Sequence, residues 1–165
     1  MSLIRNLDRS QVDIIFSLLT VSLVVFFDRI TKVFFSHLLS VGESLPIFPK
    51  ILHMTLVHNS GIAFGLFKNQ GIVFIIVPIV ATVLLAYNIY YYKYNNEQLS
   101  RVYIIAFSMI LAGAIGNLID RIAYGYVVDF IDFRVWPVFN IADSAITVGA
   151  VIIAWECVPV WNRKK

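Results

Sequence analysis

Long apolar runs alternate with short polar stretches along this chain, and four of the runs are long enough to cross a bilayer as helices. The first is almost uninterrupted over 14–27 and extends as a predicted helix over 12–39, with Asp28 and Lys32 one turn apart. The second, 71–92, contains Pro78 and closes on Tyr90, Tyr91, Tyr92 and Tyr94, which predicts a kinked span with an interfacial aromatic end. The third, 102–121, ends in Asn117, Asp120 and Arg121, and the fourth, 140–160, opens on Asn140 and Asp143. No small-residue cleavage pattern follows the first run, so it is read as a retained span rather than a signal peptide. Four spans place both termini on one side of the membrane.

Between the first two spans, 40–70 is punctuated by Pro46 and Pro49, while 51–58 has the composition of a short strand. The expected fold class is therefore membrane all-α, with four transmembrane helices and a small extracytoplasmic β element, in a single integral membrane domain over 1–165. In the third span Ala112 and Gly116 lie four apart with Gly113 beside them, the small-residue spacing that lets membrane helices approach closely.

Composition strengthens this picture. Of 165 residues, 59% are hydrophobic and only 14% charged, and the mean hydropathy is +0.82, more apolar surface than a small soluble core could hide. A net charge of +3 is small and scattered, and no basic patch interleaves with aromatics, so no nucleic-acid partner is expected. Seven Lys and Arg residues fall on the side of the termini against six opposite, but the seven are crowded into short tails and one tight loop. That density predicts cytoplasmic termini. The single cysteine, Cys157, permits no intrachain disulfide and is read as a packing residue.

Candidate chemistry lies in the carboxylates. Of ten acidic residues, Asp28, Asp120, Asp129, Asp132 and Asp143 all fall at span ends or in the connections on one side. An ionisable group at membrane depth costs about 3 kcal/mol on insertion scales, so such groups are paired, hydrated or functional. A single one could be a helix cap, as Asp143 could be three residues after Asn140. Two in a partly dehydrated site would share a proton, and the pair could activate water against an amide and protonate the leaving nitrogen. Spacing leaves open which two aspartates pair. His37, His53 and His58 lack H-E-x-x-H spacing and cysteine partners, so no metal site is expected, and no G-x-S-x-G is present.

Five blocks then carry a resemblance over nearly the whole chain. They are Asp28-Arg29-Ile30-Thr31-Lys32, Asn59-Ser60-Gly61-Ile62-Ala63-Phe64-Gly65, Ala112-Gly113-Ala114-Ile115-Gly116-Asn117-Leu118-Ile119-Asp120-Arg121, Val127-Val128-Asp129-Phe130-Ile131-Asp132 and Phe139-Asn140-Ile141-Ala142-Asp143-Ser144. In this order they resemble the lipoprotein signal peptidases, the type II signal peptidases of bacterial membranes. One departure is Ala112 where the block is often written with glycine, a small-for-small change.

The resemblance implies a cofactor-free aspartic endopeptidase with four transmembrane helices, a small extracytoplasmic sheet and an amphipathic segment on the outer leaflet. Its substrate would be a diacylglyceryl-modified prolipoprotein, cut just before the lipidated cysteine, and the enzyme would sit as a monomer among the lipids of the bacterial cytoplasmic membrane. It assigns catalysis to Asp129 and Asp143. Asn59 and Gly61 would line the substrate channel, and Asn117, Arg121 and Asn140 would bind substrate backbone or hold the aspartates. Asp28, Lys32 and Asp120 would be structural. Asp132 is left open: in an extended segment it faces away from Asp129, and in a helix it faces the same way. Two rival readings predict different behaviour, a proton-coupled carrier using the same carboxylates and a non-enzymatic scaffold in which they are only caps.

Overall fold

The computed structural model describes residues 8–61 and 100–162. The predicted span 71–92, and with it Pro78 and the tyrosine cluster, lies outside the described residues.

Helix α1 (Arg9–Leu38) starts at a reciprocal cap: the Gln11 amide donates to Asp8 Oδ1 at 2.8 Å and the Asp8 amide to Gln11 Oε1 at 3.0 Å. Its composition is inverted relative to a soluble helix. Ile14, Leu18, Leu23, Phe26 and Phe34 are exposed, whereas its buried residues are Asp28 and Lys32. Apolar side chains outside and charges inside is the arrangement expected where lipid is the solvent.

Helix α2 (Arg101–Tyr124) begins at Ser100, whose Oγ accepts from the Tyr103 amide, and stops at Gly125, whose φ of 78° suits glycine. Both α1 and α2 are long and apolar enough to cross a membrane, with mean hydropathies of 2.0 and 2.1. Contacts between them keep the same order along both helices. Asp13 meets Arg101, Ser17 accepts from Ser108, and Arg29 meets Asp120, so the two helices run parallel.

Helix α3 (Ile141–Asn162) packs antiparallel on α2. Glycines make the contact: a Cβ on Gly113 would overlap the Ala142 carbonyl, and one on Gly149 would come within 2.6 Å of the Ala106 carbonyl. Of the small residues expected to allow close approach, Gly113 lies on the α2–α3 seam, Gly116 faces both Asp28 of α1 and Ala142 of α3, and Ala112 is buried.

At the shared C-terminal end of α1 and α2 sits an antiparallel sheet in the order β1 (Ser44–Phe48), β2 (Leu52–Asn59), β3 (Val127–Asp132). The strand expected over 51–58 is β2, whereas β1 forms despite Pro46, which sits at an edge strand beside a register irregularity where a missing donor is tolerated. Leu39, Leu56 and Val128 form a small core that ties the sheet to α1 through Phe35. β3 places Asp129 opposite Val57 and Asp132 opposite His53. A bridge from Ile131 to Phe139 then folds the following segment back toward the start of α3.

Candidate active site

The site is built where β3, the first turn of α3 and the last turns of α2 meet. Asp129 is 1% exposed. Its Oδ1 accepts from Asn140 Nδ2 at 2.7 Å and its Oδ2 from Asn59 Nδ2 at 2.8 Å. Asn59 stands at the end of β2, and its Oδ1 accepts from the Gly61 amide at 3.0 Å, which fixes which end of the carboxamide faces the aspartate. Asp143 lies in the first turn of α3, where its Oδ1 accepts from Asn117 Nδ2 at 2.7 Å. The Asp143 amide in turn donates to Asn140 Oδ1 at 2.9 Å, so Asn140 caps α3 with its oxygen while serving Asp129 with its nitrogen.

The two carboxylates are therefore held by one connected pair of amides. Asn140 Nδ2 also lies 3.1 Å from Asn117 Oδ1, joining the Asp129 side to the Asp143 side. Burial pushes the Asp129 carboxyl up to about 7; the Asn59 and Asn140 hydrogen bonds pull against this, and the neighbouring Asp143 charge adds to it. A carboxyl poised near neutrality can hold or release a proton at working pH.

Behind this layer is an ionic cluster. Lys32 Nζ reaches Asp28 Oδ2 at 3.0 Å and Asp120 Oδ2 at 2.8 Å, and Arg29 reaches the same two carboxylates at 2.9 and 2.6 Å. Asp28 Oδ1 accepts from the Ala142 amide and Asp120 Oδ2 from the Val128 amide. The cluster thus locks α1 and α2 to the first turn of α3 and to β3, each next to one of the site aspartates. Two cations balance two carboxylates, which is what charges removed from water require.

Asp132 is separate. Because β3 is extended, it points away from Asp129 and accepts from Thr55 Oγ1 at 2.7 Å, the Arg134 amide at 2.8 Å and Arg134 Nη1 at 3.0 Å. Burial raises its carboxyl, but these three donors together hold it below the usual carboxylate range.

A cavity of about 640 Å³ lies alongside, lined by Asn59, Gly61, Asn117, Arg121 and Asp143 together with the apolar wall of the 133–139 segment. Arg121 Nη1 donates to the Asn117 carbonyl at 3.4 Å. Residue types and spacing give no signal for two parts of this arrangement: Arg29 as a second cation of the ionic cluster, and the wall formed by Phe133, Trp136 and Phe139. Arg29 stands beside Asp28 at the end of an apolar run, where Lys32 already offers a cation one turn away, and Trp136 has no local signal at all. Two of the three histidines lie in the sheet region, where His53 Nδ1 is 3.0 Å from Ser44 Oγ and His58 stacks on Tyr126, and His37 lies in the last turn of α1.

Comparison with known proteins gives this geometry its context. Residues 20–159 match the family model described as signal peptidase (SPase) II. The chain belongs to the signal peptidase II family. Relatives named lipoprotein signal peptidase include one from Halothermothrix orenii, 39% identical over 89% of this chain and 96% of its own length. Another, from Moorella thermoacetica, is 43% identical over 84% of this chain and 90% of its own. A third, from Staphylococcus aureus, is 36% identical over 90% and 91%. A solved structure described as a bacterial membrane enzyme superposes with a TM-score of 0.81 at 34% identity, covering 90% of this chain and 91% of that one. As a signal peptidase II, the chain is a membrane protein and an aspartic endopeptidase. Its mostly helical body with a three-stranded sheet is the fold it shares with that neighbour.

Proposed function

We propose that Asp129 and Asp143 are the catalytic pair of a peptidase that removes the signal peptide from diacylglyceryl-modified prolipoproteins, cutting just before the lipidated cysteine. The observation that carries this reading is the sharing of one Asn117–Asn140 amide pair by these two carboxylates, while Asp28, Asp120 and Asp132 are saturated by cations or other donors. Asp129, raised to about 7, holds the proton in the resting pair because two neighbouring carboxylates do not both ionise. Ionised Asp143 takes a proton from water, the water oxygen bonds to the carbonyl carbon, and Asp129 protonates the carbonyl oxygen. The resulting diol collapses as Asp143 returns its proton to the leaving nitrogen, the C–N bond breaks and Asp129 takes a proton back from one hydroxyl, which restores the resting pair with no covalent enzyme adduct.

Asn59, Gly61 and Arg121 line the cavity beside the pair, and in this reading they bind the substrate backbone. Four transmembrane helices are supported by the parallel course of α1 and α2: with their C-terminal ends together, the chain between them must recross, and 71–92 is the apolar stretch available. The lysine and arginine density at the terminal side supports cytoplasmic termini, with the site near the outer leaflet of the bacterial cytoplasmic membrane. The enzyme works as a monomer embedded in lipid, over the single domain 1–165. In the described residues the pair is completed by side chains of this one chain, with no cofactor needed for the chemistry above.

Purified protein incubated with a diacylglyceryl-modified precursor should release the signal peptide, and an unlipidated precursor should not be cut. Asp129→Asn and Asp143→Asn should each abolish cleavage while still accumulating in the membrane. Substantial turnover by either variant overturns the assignment.

A further inference from the structure

Lys32 is 2% exposed and its ammonium has three protons to place. Two go to Asp28 and Asp120 within the ionic cluster, and the third goes to Asn117 Oδ1 at 3.0 Å. Among the described residues Lys32 is thus the one cluster member that touches the amide layer holding the two site aspartates. We propose that Lys32 is a positioning residue for the catalytic pair, locking the Asn117 carboxamide in the orientation that presents a donor to Asp143.

The donor count around Asn117 supports this. Its Nδ2 lies 2.7 Å from Asp143 Oδ1, and its Oδ1 accepts from Lys32 and, at 3.1 Å, from Asn140 Nδ2. A flipped carboxamide would set its NH2 against the Lys32 ammonium and its oxygen against the Asp143 carboxylate, two repulsive contacts in a dry site. Asn140 cannot hold the orientation alone. Its two amide hydrogens face three acceptors, Asp129 Oδ1 at 2.7 Å, Asn117 Oδ1 at 3.1 Å and the Val128 carbonyl at 3.3 Å, and the carboxylate is the shortest and strongest of them. Lys32 therefore supplies the donor that Asn140 lacks, and leaves Asn140 free to serve Asp129. The cation also faces carboxylates from every element around it: Asp28 on α1, where it shares that group with Arg29, Asp120 on α2, Asp129 on β3 and Asp143 on α3.

This inference rests on Asp129 and Asp143 being the catalytic pair, and the experiment separates the two. Cleavage of a lipidated precursor is compared for wild type, Lys32→Met, Asn117→Ala and their double variant, with Asp143→Asn as reference. Lys32→Met should lower kcat on the order of 10²-fold with little change in KM, the loss expected for a misplaced catalytic group. In the Asn117→Ala background the same substitution should add nothing, because its effect runs through that amide. Lys32→Met/Asp120→Asn preserves the neutrality of the cluster and carries the same comparison if Lys32→Met alone does not accumulate. Wild-type kcat in the lysine variants, or an undiminished further loss on Asn117→Ala, overturns the positioning role. Turnover by Asp143→Asn would instead overturn the catalytic assignment beneath it.

Discussion

The seam between α2 and α3 gives the sharpest structural test of how the site is held. In Gly113→Ala the added Cβ would overlap the Ala142 carbonyl oxygen and lie 2.7 Å from Ile146 Cγ1. Carbon contacts settle at about 3.5–4.0 Å, so relief requires roughly 1 Å of separation. The Ile146 tip can rotate away, but the Ala142 carbonyl is helix backbone and cannot, so α2 and α3 must part. Asn117 stands one turn beyond Gly113 and bonds Asp143, the residue after Ala142. A 1 Å parting takes that 2.7 Å bond to roughly 3.7 Å, beyond hydrogen-bonding range. Overpacking of this kind costs about 1–3 kcal/mol of stability, and a catalytic group displaced by about 1 Å loses on the order of 10²-fold in rate. The assay is cleavage of a lipidated precursor in detergent, alongside a thermal unfolding scan. Gly125→Ala is the control: its φ is 78° and nothing lies within 4 Å of its Cβ, so it should lose about 1 kcal/mol of stability with unchanged kcat. Wild-type kcat and an unchanged unfolding temperature in Gly113→Ala would refute the close-approach reasoning.

The remaining predictions concern the carboxylates one at a time. Because the Asp129 carboxyl is raised to about 7 in the fold, the native state binds a proton that the unfolded chain has already released. Its stabilising contribution is full below about pH 4 and is lost as pH rises through about 7. Asp129→Asn should remove this dependence and unfold at a higher temperature than wild type at pH 8, while being inactive; equal pH slopes for both proteins would contradict it. Asp120→Asn leaves Arg29 and Lys32 to share Asp28, and should cost about 3–5 kcal/mol, read as loss of folded protein in a thermal scan. Asp132→Asn breaks an ion pair whose Arg134 side chain is half exposed, so it should cost no more than about 1 kcal/mol and leave kcat near wild type. An inactive Asp132→Asn enzyme would place that carboxylate in the chemistry.

Local sequence carried the helices. Runs of apolar residues over 12–39, 102–121 and 140–160 correspond to α1, α2 and α3 because a helix in lipid needs only length and hydropathy, both properties of the chain itself. The cap at α3 was equally visible, since Asn140 and Asp143 are three residues apart and such contacts close within one turn. β2 could be read from its composition, whereas β1, with a proline in its middle, could not.

What spacing left open was decided by contacts between elements distant in sequence. Five aspartates on one side of the membrane look alike as residues, and the tertiary structure separates them by their donors. Asp28 and Asp120 meet cations across α1 and α2, Asp132 lies on the opposite face of an extended strand against Thr55 and Arg134, and Asp129 and Asp143 meet carboxamides from β2, α2 and the start of α3. The resemblance named the last two, but no local pattern could, because the proton affinity of a carboxyl is set by what surrounds it in space. The hydropathy of the chain placed these groups at the ends of apolar spans or in the connections between them, on one side of the membrane; folding determined which of them would be neutralised by charge and which would be left to amides in a dry site.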